Sequence, residues 1–117
     1  MAVAPVGAVV LVRFPFSDLS AAKLRPALVL AAAGRGDLVL CQITSSPYGD
    51  SRAIPLTTDA FSDGSLPLTS YVRPGKLFTA HESIVSSQRG VLRRASFEAI
   101  VHAICRMLDD SVRCVPA

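Results

Sequence analysis

Short apolar segments alternate with polar, turn-forming segments along most of the chain. Residues 8–14, 27–32 and 37–45 are rich in valine, leucine, isoleucine and alanine, and glycine or proline lies close to both ends of each. Segments of this length and composition predict β-strands. Their short connections favour antiparallel pairing, so the three are expected to be neighbours in one sheet.

Weaker apolar segments follow in the second half of the chain. Further short strands are predicted over residues 53–56, 69–72, 77–80 and 83–87, the last closed by Gly90. Polar loops are predicted over residues 15–24, 46–50 and 57–66, and the dipeptide Pro74-Gly75 predicts a turn between two strands. The second half therefore continues the pattern of short strands and tight connections.

Helical periodicity is clear in the C-terminal segment. Ser96 is a suitable N-cap, and apolar residues then recur at intervals of three or four: Phe97, Ile100, Val101, Ile104, Met107 and Leu108. Five to seven strands and one helix predict a single mostly-β domain over residues 1–117. A small β-barrel or strongly bent sheet, with the helix packed against it, fits this pattern.

Composition narrows the class of protein. Half of the residues are apolar and 18% are charged, which excludes a disordered chain. Three cysteines without paired spacing do not predict disulfides, and Cys41 and Cys105 are expected to be buried thiols. No cofactor or metal site is predicted. The apolar run from Val9 to Val12 is short and Arg13 interrupts it, so we expect a cytoplasmic protein without a secretion signal.

The basic residues raise the question of a phosphate ligand. The net charge is +3, and ten of the twelve basic residues are arginines. The guanidinium fork suits phosphate, although a compositional bias of the genome would give the same excess. A modest positive charge permits nucleic-acid binding without requiring it.

A few polar residues are candidates for chemistry. Arg25 stands between a polar loop and a strand, directly before Pro26, and Thr44 and Ser45 end the third strand. Arg73 and Lys76 flank Pro74-Gly75, and with Lys23, Arg25 and Arg52 they could form a basic rim. Each has a plainer interpretation, since strand-end cations are usually solvated and threonine is a good strand former. His81 and Glu82 are adjacent and face opposite ways on a strand, so both histidines are interpreted as structural.

The order of these residues resembles one known family, the PemK/MazF-like toxins. Residues 7–18 (GAVVLVRFPFSD) and 23–30 (KLRPALVL) look like the N-terminal half of that family. Residues 40–45 (LCQITS) are similar to its third-strand motif, and residues 70–79 (SYVRPGKLFT) to the segment before its last strand. The resemblance runs in the same order from about Gly7 to Leu108.

This resemblance implies an SH3-like β-barrel of the CcdB/MazF type with a C-terminal α-helix, usually a homodimer. It implies the toxin of a type II toxin–antitoxin system, an mRNA interferase that cleaves single-stranded RNA and binds a cognate antitoxin. Arg25 and Thr44 match the family's catalytic positions. The positions that would bind RNA are Phe16, Ser17, Asp18, Lys23, Ser45, Arg73 and Lys76.

Two departures from the family pattern stand out. The residue after Gly7 is Ala8, where the family usually has an acid, and Gly75 replaces an aspartate that assists catalysis in some members. A general base at residue 75 is therefore excluded. Asp18, a water molecule or no dedicated base remain open, as do a CcdB-like gyrase-inhibiting protein and an inactive relative that only binds RNA or antitoxin.

Overall fold

The computed structural model describes residues 4–14 and 23–117. Within them the strands are β1 (Ala8–Phe14), β2 (Lys23–Gly34), β3 (Asp37–Thr44), β4 (Ile54–Leu56), β5 (Phe61–Gly64), β6 (Ser70–His81) and β7 (Val85–Leu92). One α-helix, α1 (Arg94–Ser111), follows the last strand. Single 3₁₀ turns cover Thr58–Ala60, Glu82–Ile84 and Val112–Cys114.

All seven strands belong to one curled antiparallel sheet, in the order β4-β6-β3-β2-β1-β7-β5. The predicted adjacency of the first three strands is confirmed, and so is the mostly-β fold class with a C-terminal helix, the sheet being curled into a half-barrel. The predicted loop over residues 15–24 is wrong at its end, because β2 already begins at Lys23. Among the described residues, no helix has both the length and the apolar character needed to cross a bilayer.

The core lies on both faces of the three central strands. Val9, Leu28 and Ile43 pack in a cluster with Ile100 and Ile104 of α1. The residues of opposite parity form a second cluster: Ala8, Val10, Val12, Ala27, Val29, Leu38 and Leu40. Strands buried on both faces need apolar residues at consecutive positions, which explains why these segments show no apolar–polar alternation.

Helix α1 presents its predicted apolar stripe to the sheet. Ile100 and Ile104 are buried, but Leu108 is 54% exposed, so the stripe extends beyond the covered part of the helix. The prediction of Ser96 as N-cap is wrong. Arg93 is the cap residue, and its Nε donates to the Asp59 carbonyl at 2.9 Å. The start of the helix is therefore held by a contact distant in sequence and not by a local hydrogen bond from Ser96. Cys105 was expected to be buried and is exposed, because it lies off the stripe.

Strand β5 lies inside the segment predicted as a loop over residues 57–66. That segment is polar because β5 is an edge strand, with Ser62, Asp63 and Gly64 exposed. Phe61 alone is buried, and it anchors the strand in the core beside α1. Strand β7 also runs through Gly90 to Leu92, where the sequence predicted an end.

The predicted turn at Pro74-Gly75 is also wrong, since β6 is one strand from Ser70 to His81. Instead the strand bulges. Cys41 pairs with Leu77 and Ile43 pairs with Val72. An advance of two residues along β3 is therefore matched by five residues along β6. Proline has no N–H to donate to a ladder and is tolerated in a sheet at such irregularities. Pro74 is buried within the bulge.

Gly90 provides a test of packing in this sheet. A Cβ at Gly90 would lie 2.6 Å from the Asp63 carbonyl oxygen and 2.8 Å from Cδ2 of Phe61. We expect Gly90→Ala to lower the free energy of unfolding by about 1–3 kcal/mol, because backbone and a buried ring must both move. Thermal unfolding followed by circular dichroism measures the loss. Gly75→Ala is the matched control, since a Cβ there meets no atom within 4 Å, and an equal loss in both variants would contradict the steric explanation.

Candidate functional site

Arg25 and Thr44 lie just beyond the point where β2 and β3 stop pairing. The ladder pairs Leu28 with Cys41 and Ala27 with Gln42. Arg25 lies two residues before Ala27 and Thr44 lies two residues after Gln42, so both stand at the same distance from the last pair of the ladder. Two residues is one full period of a strand, so both lie on the sheet face of Ala27.

Pro26 marks the place where the two strands stop pairing. The β2–β3 ladder ends at Ala27 and Gln42, although β2 extends back to Lys23 and β3 on to Thr44. Pro26 still faces Leu11 of β1, but it has no N–H with which to extend a ladder. The start of β2 stays paired with β1 and the end of β3 with β6, and between the two lies a cavity.

This opening, the Arg25 cavity, has a volume of about 320 Å³. It is lined by two arginines, three side chains with a hydroxyl group and an apolar wall. Its lining residues are Leu11, Leu24, Arg25, Pro26, Ile43, Thr44, Ser45, Leu66, Pro67, Leu68, Ser70 and Arg89. No carboxylate is among them, so the described part of the cavity has a positive potential that favours an anion.

The Arg25 guanidinium is unpaired within the described residues. Arg25 is exposed, and no hydrogen bond or ion pair joins its side chain to any residue in the described ranges. A guanidinium stays protonated in proteins and has five N–H donors. It is thus available to bind two oxygens of a phosphate group in a bidentate manner.

The Thr44 hydroxyl is fixed by a local turn at the end of β3. Its Oγ1 accepts a hydrogen bond from the Ser46 N–H at 3.1 Å and donates to the Ser46 carbonyl at 3.3 Å. The second bond is long, so the hydroxyl proton can be redirected to a ligand while the first keeps the oxygen in place. Ser45 borders the same cavity and is exposed.

Arg89 belongs to this cavity and was missed by the sequence reasoning. Strand β1 pairs Val9 with Gly90 but Val10 with Gln88, which leaves Arg89 as the extra residue of a bulge in β7. Bulges of this kind redirect a side chain. No local signal identifies Arg89, because the bulge depends on pairing with a strand about eighty residues earlier.

Arg73 and Lys76 line a different opening, the Tyr48 cavity, of about 460 Å³. The residues around it come from the β3–β4 loop and the bulge of β6: Tyr48, Gly49, Asp50, Ser51, Arg52, Arg73, Gly75 and Lys76. The structure therefore divides the predicted basic rim. Arg25 lies at one cavity, Arg52, Arg73 and Lys76 lie at the other, and the exposed Lys23 borders neither.

Arg73 is paired within the Tyr48 cavity. Its Nε donates to Oδ2 of Asp50 at 2.7 Å, and the Arg52 N–H donates to Oδ1 of the same carboxylate at 3.0 Å. The Arg73 hydrogen bond, followed by that of the Arg52 N–H, lowers the pKa of Asp50 from its usual 3.8. Asp50 thus remains ionised and holds the loop against β6.

The bulge in β6 is also tied to β3 by a thiol. Cys41 donates from Sγ to the Arg73 carbonyl at 3.0 Å, which gives that carbonyl a partner in the interrupted stretch of the ladder. Burial raises the pKa of Cys41 to about 12, against a smaller lowering by this hydrogen bond. The thiol is therefore structural and not a nucleophile.

Of the remaining residues named from the sequence, three lie outside the described ranges and one has a structural role. Phe16, Ser17 and Asp18 lie outside the described residues. His81 caps the turn Glu82–Ile84, where its Nδ1 accepts from the Ser83 N–H at 3.1 Å, in agreement with the structural role predicted for it. In the described part of the chain, no group of histidine, cysteine and acidic side chains is arranged to hold a metal ion.

Comparison with known proteins adds an independent finding. The family model of PemK-like, MazF-like toxins of type II toxin–antitoxin systems matches residues 6–108. No curated protein sequence matches significantly.

Solved structures share the fold. A chain of the MazE–MazF crystal structure (Form-III) from Deinococcus radiodurans superposes with a TM-score of 0.73 at 18% identity, over 92% of this chain and 98% of that one. The Mycobacterium tuberculosis toxin MazF-mt6 gives 0.66 at 22%, over 87% and 96%. An endoribonuclease in complex with its cognate antitoxin from a mycobacterial species gives 0.69 at 18%, over 93% and 96%.

The Asp50–Arg73 pair predicts a specific dependence of stability on pH. Because the pKa of Asp50 is lowered by folding, its contribution is complete above the ordinary value of 3.8 and is lost as the pH falls through the lower, folded-state value. We expect Asp50→Asn to have a lower Tm than the parent protein at pH 5–7, with the difference shrinking below about pH 4. Calorimetry across this range measures it. In a protein that already carries Arg73→Gln, the further change Asp50→Asn should lower the Tm little more. A Tm difference between Asp50→Asn and the parent protein that does not change with pH would contradict the role of the pair.

The three thiols should differ in reactivity. Cys105 and Cys114 are exposed, whereas Cys41 is buried with a raised pKa. At pH 8 we expect two thiols per chain to react rapidly with a disulfide reagent such as dithionitrobenzoate and the third to react only in denaturant, because the thiolate is the reactive species. Three rapid equivalents in the folded protein would show that β3 opens readily beside the bulge.

Proposed function

The chain belongs to the family of PemK-like, MazF-like toxins of type II toxin–antitoxin systems, and on that premise we propose that it is an endoribonuclease that cleaves single-stranded RNA without a metal ion. One observation carries the proposal. Arg25, Thr44 and Arg89 together line a cavity without a carboxylate in its described wall. Such an arrangement suits a phosphodiester whose charge increases in the transition state.

In the proposed reaction the RNA supplies its own nucleophile. The 2′-hydroxyl oxygen attacks the adjacent phosphorus as its proton leaves, and a new O–P bond forms. The bond from phosphorus to the 5′-oxygen then breaks, and that oxygen takes up a proton. The products are a 2′,3′-cyclic phosphate and a 5′-hydroxyl end, with no water consumed. The protein must supply positive charge, orientation and proton transfer.

Arg25 supplies the positive charge at the phosphate. Its fork can bind both non-bridging oxygens and bind them more tightly as the phosphorane forms. Arg25 cannot act as general base, because a guanidinium stays protonated in proteins. It can donate a proton to the leaving oxygen in concert with uptake from solvent. Arg89 adds a second cation at the same cavity, which reinforces stabilisation of the developing charge.

Thr44 orients the phosphate in this proposal. Its oxygen is held by the Ser46 N–H, so the hydroxyl proton can turn from the Ser46 carbonyl to a phosphate oxygen. Ser45 lies on the border of the same cavity as a further donor. Neutral donors of this kind position the reacting group and add less electrostatic stabilisation than Arg25.

The proton of the 2′-hydroxyl passes to Asp18, to a bound water molecule or, without a dedicated base, to the solvent. Asp18 lies on the segment between β1 and β2, which joins the strands that carry Leu11 and Arg25. Gly75 has no side chain for this task, and Asp50 is already bound to Arg73 at the Tyr48 cavity. Phe16, Ser17 and Lys23 belong to the same segment and strand start, and we assign them to RNA binding.

The proposal includes the partners that the family implies. We propose a cognate antitoxin, a homodimer and a cytoplasmic location. Structures of MazF with MazE, and of a mycobacterial endoribonuclease with its antitoxin, are among those that share the fold. An antitoxin segment that covers the Arg25 cavity would compete with RNA for Arg25 and Arg89.

The decisive test is cleavage of a long RNA by the purified protein in EDTA, with the ends mapped by primer extension. We expect discrete cuts, and Arg25→Ala should lower kcat by about 10²–10³-fold, as loss of a transition-state donor does. Thr44→Val should lower it less, by about tenfold, and Thr44→Ser should retain most activity. Arg106→Ala, an arginine exposed on α1, is the matched control and should cleave like the parent protein.

Two other outcomes contradict the proposal in different ways. Absence of cuts with the parent protein would support an inactive relative that only binds RNA or antitoxin, which Gly75 makes a specific alternative. Inhibition of gyrase supercoiling by both the parent and Arg25→Ala would support a CcdB-like binding protein. Full cleavage by a folded Arg25→Ala variant would remove Arg25 from the site.

A further inference from the structure

The Tyr48 cavity is separate from the proposed cleavage site and has features that the cleavage reaction does not use. We propose that it is a nucleotide subsite, in which Tyr48 stacks on a base of the single-stranded RNA and Arg52 and Lys76 bind the phosphate beside that base. This inference deepens the proposed function and rests on it for the identity of the ligand. It assigns to this cavity a role in substrate binding that is distinct from the chemistry at Arg25.

Tyr48 is an aromatic residue held out into solvent. The residue is 91% exposed, and its backbone has a φ of 43°, a left-handed conformation that is uncommon for a residue with a bulky side chain. Gly49 follows with a φ of 74°. The loop thus adopts an uncommon backbone that leaves an aromatic ring uncovered. A ring presented in this way offers a stacking platform for an unpaired base.

The charges around Tyr48 favour a phosphate. Three cationic side chains, Arg52, Arg73 and Lys76, and one carboxylate, Asp50, line the cavity. Asp50 is paired to the Arg73 side chain and to the Arg52 backbone N–H. The side chains of Arg52 and Lys76 make no hydrogen bond or ion pair with the described residues, so two cations remain for a ligand.

The loop that holds Tyr48 is braced before any ligand binds. The Asp50 N–H donates to the Pro47 carbonyl at 3.0 Å, and the Ala53 N–H donates to the Asp50 carbonyl at 3.1 Å. The Asp50 carboxylate then joins the loop to β6 through Arg73. A loop that is already ordered loses little conformational entropy when it binds, so the stacking energy is not consumed by ordering the loop.

The two cavities are close enough for one strand of RNA to occupy both. Ser45 lines the Arg25 cavity and Tyr48 lines the second, and the three residue steps between them span at most about 11 Å. On β6, Ser70 borders the first cavity and Arg73 the second. At Gly75 the wall carries no side chain, which leaves room for a base beside Tyr48.

An acidic peptide is the other ligand that unpaired cations could bind. The exposed ring favours RNA, because every base has a π-face that stacks on tyrosine, whereas an acidic side chain has none. Aromatic rings interleaved with cations are the usual composition of single-strand binding surfaces. The test therefore monitors the ring itself.

The absence of tryptophan makes tyrosine fluorescence a direct probe. The chain has no Trp and two Tyr, at 48 and 71, so Tyr71→Phe leaves Tyr48 as the single emitter. A 12-nucleotide 2′-O-methyl oligouridine is the probe, because it lacks the free 2′-hydroxyl and survives the proposed nuclease. We expect it to quench Tyr48 emission on binding. Polyglutamate of equal charge is the control and should leave the emission unchanged.

Variants separate the ring from the cations. In anisotropy measurements with a labelled form of the same oligonucleotide, Tyr48→Ala should raise Kd by about 5- to 100-fold, the equivalent of one lost stack. Tyr48→Phe should stay within about twofold. Arg52→Gln and Lys76→Gln should each reduce the slope of log K against log salt by about 0.7, the contribution of one phosphate contact.

The outcomes distinguish this subsite from the nuclease. Quenching that persists in Arg25→Ala, after cleavage is lost, supports both assignments. Quenching by a parent protein that does not cut RNA supports the subsite and overturns the nuclease. Unchanged Tyr48 emission with the oligonucleotide, a Tyr48→Ala variant that binds like the parent, or equal quenching by polyglutamate each overturns the subsite.

Discussion

The lack of an N–H on proline determines where this sheet opens. Strand β3 lies between β2 and β6, and a proline interrupts the ladder on each side. Pro26 stands where pairing with β2 ends, and the Arg25 cavity lies there. Pro74 lies in the bulge of β6, and the Tyr48 cavity is beside it. The end of β3 at Thr44, and Ser45 directly after it, consequently lie between the two openings.

Arg25 and Arg73 differ in the partners that surround them. Arg73 is bound to Asp50 and braces a loop, whereas Arg25 has no partner among the described residues and is free to bind an anion. Net charge cannot reveal this difference, since both side chains carry the same charge. The distribution of one carboxylate decides which cation holds the fold together and which is left for a ligand.

The local pattern was sufficient for the elements whose cause is local. The strands around Val10, Leu28 and Leu40 and the stripe on α1 follow from composition and periodicity, and Arg25 and Thr44 could be nominated from the family resemblance. Strand β5, the continuous β6 and Arg89 could not, since each depends on a partner distant in sequence. A proline in a strand and a proline in a turn have the same local appearance, and only the pairing with β3 distinguishes them.

Gly64 shows how far the Arg25 cavity reaches into the fold. Its φ is 75°, and a Cβ there would collide with the carbonyl of Arg89, the bulged residue of β7. The position of a cation at the cavity is thus set by an edge strand that touches no ligand. A side chain at Gly64 would accordingly strain the backbone and displace Arg89, so a residue that does not line the Arg25 cavity still decides how one of its cations is placed.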